Sequence, residues 1–132
     1  ITRMAVMGKA PEGFEEIHGI VESAVQAAMA AARPGVLARE VDAAARGVIT
    51  QAGYGDYFTH RTGHGMGVEI HEPPYLTASS DTPLAEGMVF SIEPGIYLPD
   101  RFGVRLEELV ILRADGPEIL SALPRDVAVI GD

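Results

Sequence analysis

The chain has 132 residues, is 47% hydrophobic, carries a formal net charge of −9 and contains no cysteine. That charge, with no basic cluster to offset it, excludes a nucleic-acid backbone as partner. The missing cysteines exclude disulfides and thiolate ligands, and the longest apolar stretch is too interrupted by polar residues to span a membrane.

In chain order, Ile1–Met7 reads as a strand ended by the turn Gly8-Lys9-Ala10-Pro11. From Pro11 to Ala32, apolar residues recur at Phe14, Ile17, Val21, Val25, Ala28, Met29 and Ala32. This stripe predicts a helix, with Pro11 in its first turn and Glu12, Glu15 and Glu16 favourable to its dipole. Pro34-Gly35 breaks it. A second helix is predicted over Leu37–Ala52, with Gly53 at the left-handed position that ends it.

Beyond Gly53 the apolar runs shorten to strand length. Alternation predicts strands through Met66–His71, Met88–Glu93 and Val104–Ile111. Thr77–Pro83 reads as a polar loop and Ala114–Pro117 as a turn before a last short strand. Two amphipathic helices followed by several strands predict one α+β domain, with the helices on one face of a mainly antiparallel sheet.

The chemistry concentrates in HRTGHGMGVEIHE (His60–Glu72), SIEPGIY (Ser91–Tyr97) and VRLEE (Val104–Glu108). His64, Glu93 and Glu107 offer one imidazole and two carboxylates from three separate segments. Such a set suits Mn²⁺, Co²⁺, Fe²⁺ or Zn²⁺. The His60-x-x-x-His64 spacing is not a helical zinc motif, because Gly63, Gly65 and Gly67 oppose a helix. An extended chain would hold His64 and His71 roughly 23 Å apart, so they share a site only if the glycine-rich segment turns back. His18, on the flank of a helix and without a partner in sequence, reads as structural. For Glu107 a buried ion pair with Arg105 is the structural alternative to a metal ligand.

In this order and at these intervals, the three motifs resemble the metal-dependent Xaa-Pro peptidases of the pita-bread fold. That group holds the Xaa-Pro aminopeptidases and Xaa-Pro dipeptidases, with methionine aminopeptidases as more distant relatives. The resemblance implies two divalent metal ions held by two aspartates, one histidine and two glutamates. Of these, His64, Glu93 and the bridging Glu107 lie in this chain. It implies that His71 contacts substrate and helps proton transfer, and that His60 lines the pocket for the residue after the scissile bond. Tyr97 and Arg105 match groups in the hydrogen-bond network around the metals.

The two aspartates are expected upstream of Ile1-Thr2-Arg3, which makes residues 1–132 a partial catalytic metallopeptidase domain, inactive alone. The intact protein is then expected to take a peptide with proline in second position and to work as a cytoplasmic homodimer, with no nucleic-acid or membrane partner. A methionine aminopeptidase, a metal-free hydrolase of the creatinase kind and a non-catalytic binding module are the alternatives.

Overall fold

A computed structural model describes residues 1–131. Two helices, α1 (Phe14–Ala31) and α2 (Ala38–Gln51), follow a short strand β1 (Ala5–Met7). A five-stranded sheet comes next, built from β2 (Gly63–Gly65), β3 (Glu72–Leu76), β4 (Val89–Ile92), β7 (Glu108–Arg113) and β8 (Gly116–Ile119). Its order is β3-β2-β4-β7-β8, and every pairing is antiparallel. A hairpin of β5 (Gly95–Leu98) and β6 (Phe102–Arg105) stands beside it, and β9 (Ala128–Ile130) pairs in parallel with β1. No helix among the described residues is long and apolar enough to cross a membrane.

The helical stripes do what their periodicity predicts. Phe14, Ile17, Val21, Val25 and Ala28 of α1 and Val41, Ala45 and Ile49 of α2 are buried in one core with Phe90, Ile92, Val110 and Leu112 of the sheet. Helix α1 starts at Phe14 rather than Pro11. A turn closed by the Phe14 amide on the Pro11 carbonyl precedes it, and the Phe14 ring packs 5.4 Å from that of Phe102. Gly53, at φ +90°, takes the left-handed position after α2.

Three strand expectations need correction. Residues 66–71 form no strand: Val68 and Ile70 are exposed, and Gly65 and Glu72 pair across the ladder so that the segment between them is a loop. Alternating apolar residues cannot form a strand where the backbone must reverse, and the reversal here sits among glycines. Val104–Ile111 is two strands, β6 and β7, each with a different partner, separated by Leu106-Glu107. Of the predicted first strand only Ala5–Met7 pairs with β9, a strand the sequence reading missed, while Thr2 bridges Glu107.

Charge is buried deliberately around β7. Glu108 is 1% exposed and meets Arg3 at 2.7 Å and Arg125 at 3.1 Å. Arg125 also grips Glu22 of α1 through two hydrogen bonds of 2.7 Å. The hydrogen bond from Arg125 holds the Glu22 carboxyl below its ordinary value of 4.5, against the opposing effect of burial. Because the folded value is depressed, this tie stabilises the fold above the unfolded glutamate range and is lost as pH falls through the folded value. Urea unfolding across a pH series should therefore show an acid-side loss of stability that Glu22→Gln reduces. Superimposable pH profiles for the two proteins would rule this out.

Candidate metal centre

His64 lies in β2, where a Cβ at Gly63 would run into the Ser91 carbonyl of neighbouring β4, so this ladder admits only glycine beside the histidine. Its backbone amide donates to Ser91 Oγ at 3.0 Å, and Ser91 Oγ donates in turn to Glu93 Oε1 at 2.9 Å. Ser91 is fully buried. One hydroxyl thus sets the spacing between an imidazole on β2 and a carboxylate at the end of β4.

Deeper support comes from α2. Asp42, 1% exposed, accepts from Arg46 through both carboxylate oxygens and from the Thr62 hydroxyl at 2.7 Å. Arg46 also donates to the carbonyls of Phe58 and His60. The Thr62 amide bonds to Leu76 of β3, and its carbonyl accepts the Glu93 amide at 2.7 Å. Helix α2 therefore fixes the segment that carries His60 and His64 and, through Thr62, the backbone of Glu93.

Glu107 reaches the same point from the break between β6 and β7. Thr2 Oγ1 donates to its Oε2 at 2.6 Å and accepts from Arg105 Nε at 3.1 Å. Arg105 therefore acts on Glu107 through Thr2, without the direct ion pair considered as the structural alternative. Candidate ligand atoms of His64, Glu93 and Glu107 all lie within 4.8 Å of one another.

The donor chemistry fits a divalent cation. His64 Nδ1 sits 2.9 Å from the Gly65 carbonyl, which can only accept, so this nitrogen carries the proton. In the neutral ring, Nε2 then turns its lone pair towards Glu93 Oε1 at 3.2 Å. Two acceptors face each other across a gap that a proton or a metal ion must fill. A histidine that donates to a backbone carbonyl while offering its other nitrogen is the usual arrangement of a ligating imidazole.

The remaining candidates fall around this cluster. The loop reversal brings the His71 ring to 4.4 Å from that of His64, with His71 exposed at the rim. His60 donates from Nδ1 to the Arg61 carbonyl, so its Nε2 accepts the Tyr97 hydroxyl at 2.7 Å. Burial pushes the Tyr97 phenol above its ordinary value, and neighbouring Arg105 pulls the other way. His60, His64, His71, Glu93 and Arg105 line one cleft of about 590 Å³. His18 lies away from it, on the Arg125 carbonyl at 2.9 Å. Sequence reasoning missed Thr2, Asp42, Thr62 and Ser91. Only Ser91, two residues before Glu93 and hence on its strand face, carried a local signal.

Residues 1–114 match the model of Metallopeptidase family M24. The chain is 45% identical over 129 residues to the probable dipeptidase PepE of Mycobacterium tuberculosis, covering 98% of this chain and 34% of that protein. It is 46% identical over 127 residues to an Xaa-Pro dipeptidase of Pyrococcus furiosus, covering 96% of this chain and 36% of that one. The crystal structure of an X-Pro aminopeptidase from Thermotoga maritima superposes with a TM-score of 0.94 at 43% identity, over 97% of this chain and 36% of the other. The fold is the pita-bread fold, and the chain spans about a third of the length of these relatives.

If Ser91 sets the ligand spacing, Ser91→Ala in the complete polypeptide should weaken divalent-metal binding by about 10- to 100-fold, and Ser91→Thr should restore much of it. Titration with Mn²⁺ or Co²⁺ reads the effect. Equal affinities in all three proteins would reduce Ser91 to a space-filling role.

Proposed function

This chain belongs to metallopeptidase family M24, and from that we propose that the protein carrying it hydrolyses the peptide bond between an N-terminal residue and proline. The convergence of His64, Glu93 and Glu107, with the His64 tautomer fixed by the Gly65 carbonyl, carries the reading. Residues 1–132 are part of a larger catalytic domain that binds two divalent ions, Mn²⁺ or Co²⁺ before Zn²⁺ or Fe²⁺. His64, Glu93 and Glu107 would hold them, with further carboxylates coming from outside these residues. Bound there, such ions supply Lewis acidity, which acidifies water and polarises a scissile carbonyl.

The chain's own side chains orient substrate and move protons. Neither ring nitrogen of His71 has a hydrogen-bond partner among the described residues. One of them is therefore free to donate to the carbonyl oxygen as it gains charge, or to return a proton to the leaving nitrogen. His60 is committed at both nitrogens, to the Arg61 carbonyl and the Tyr97 hydroxyl, which leaves it a fixed wall rather than a base. Its ring packs edge-on against buried Phe58 at 5.2 Å, which holds the imidazole in place as part of the cleft wall. Thr2, itself held by Arg105, aims the Glu107 carboxylate.

The deciding assay compares Ala-Pro with Met-Ala on the complete polypeptide after loading with Mn²⁺ or Co²⁺. Ala-Pro should be cleaved faster, and the reverse order would favour a methionine aminopeptidase. The 132 residues alone should be silent, because the two-metal clamp is incomplete. Comparable rates from the short and complete polypeptides would show that no essential ligand lies outside it.

His71→Ala in the complete polypeptide should cut turnover by about 100-fold or more while leaving metal content unchanged. Stoichiometric metal loss in that variant would move His71 into the coordination sphere.

A further inference from the structure

The loop that carries His71 has little to hold it. Residues 66–71 leave β2 at Gly65 and return to β3 at Glu72, and Val68 and Ile70 are exposed along the way. Burial of their side chains therefore does not fix its path. Among the described residues, three hydrogen bonds do. The Met66 amide donates to the Val89 carbonyl at 3.2 Å and the Gly67 amide to the Glu69 carbonyl at 3.1 Å. The Glu69 amide donates to Glu72 Oε2, also at 3.1 Å. Only this last bond comes from a side chain, and a carboxylate is a stronger acceptor than a neutral carbonyl.

The fit around that carboxylate is close. A Cβ added at Gly67 would stand 2.5 Å from Glu72 Oε1, so the side chain lies against bare backbone that any other residue would cover. Gly67 is not among the glycines with left-handed φ. What it supplies here is space for Glu72. His71 sits inside the tie, bracketed by Glu69 and Glu72. Its ring is 4.4 Å from that of His64, and both line the cleft with Glu93.

We propose that Glu72 is a positioning residue for His71. Its carboxylate, seated on Gly67, closes the loop over residues 69–72 and so presents the imidazole to the cleft. The inference rests on the reading of His71 as the group that donates to substrate, and deepens it. A misplacement of about 1 Å is enough to cost a reacting group much of its effect. A loop released at Glu69 thus keeps the metal cluster and loses the alignment of His71.

The test assays the complete, metal-loaded polypeptide on Ala-Pro. Glu72→Ala should lower kcat by about 10-fold, with metal content and KM near native. Glu72→Gln, whose side-chain oxygen still accepts the Glu69 amide, should retain most of the activity. Gly67→Ala should lower kcat by a similar factor by pushing the carboxylate aside. The double variant Gly67→Ala/Glu72→Ala should then be no worse than Glu72→Ala, since both remove one tie. In a His71→Ala background, Glu72→Ala should cost nothing further. A carboxylate that merely supports the fold would lower kcat equally with or without His71, and that outcome overturns the proposal. Native kcat in Glu72→Ala overturns it too. Should the native protein leave Ala-Pro uncleaved, the peptidase reading fails by itself. Nuclear Overhauser contacts between the His64 and His71 rings, in the histidine-labelled and metal-free complete polypeptide, then decide the role of Glu72. Their loss in Glu72→Ala with retention in Glu72→Gln supports it, and unchanged contacts in Glu72→Ala overturn it.

Discussion

Thr62 is the point through which the rest of the site is held. Its hydroxyl and amide meet Asp42 on α2, its amide also meets Leu76 on β3, and its carbonyl takes the amide of Glu93. A buried residue whose polar groups are all satisfied by three different elements cannot shift without breaking several bonds at once. The pair behind it, Asp42 with Arg46, is itself committed to the carbonyls of Phe58 and His60. Losing Arg46 would leave the buried Asp42 carboxylate without its charged partner, a costly state even though Arg46 itself is partly exposed. The helix layer is thus a mould for the cleft as well as a cover for the sheet.

With that rigidity goes a fixed arrangement of the candidate ligands. His64 Nε2 and Glu93 Oε1 stand 3.2 Å apart, and Thr2 donates its hydroxyl to Glu107 from the other side. Ser91 sets the separation of the first two, since it bonds to the His64 amide and the Glu93 carboxylate together. Phe90 and Ile92, which alternate with Ser91 on β4, are wholly buried on the opposite face. The same strand therefore anchors itself in the core with one face and positions the polar cluster with the other.

How much of this was legible follows from sequence separation. The helices were readable because their apolar period is local, and the ends were displaced only by a turn or a cap. His64, Glu93 and Glu107 were readable because each sits in a distinctive short motif. The loop that carries His71 was misread as a strand, since Met66, Val68 and Ile70 alternate convincingly; only the pairing of Gly65 with Glu72 shows the reversal. Thr62 and Asp42 lie 20 residues apart, and Thr2 and Glu107 lie 105 apart. No local pattern announces a hydroxyl whose partner is that distant. Glu108 beside Glu107 shows the same limit: identical residues in adjacent positions, one turned to the cleft and the other buried between Arg3 and Arg125.

That pair also explains why the strand breaks where it does. β6 belongs to the hairpin with β5, and β7 to the main sheet. Crossing between them frees Glu107 from a regular ladder and lets Thr2 bridge it. Had Val104–Ile111 been one strand, Glu107 and Arg105 would share a face and neutralise each other directly. The break interposes a hydroxyl, so the carboxylate is oriented through a neutral donor. Arg105 is left exposed at the cleft wall, while Glu108 is buried where two arginines offset its charge. The division of labour between two neighbouring glutamates is thus a consequence of sheet topology, one residue assigned to the core and the next to the chemistry.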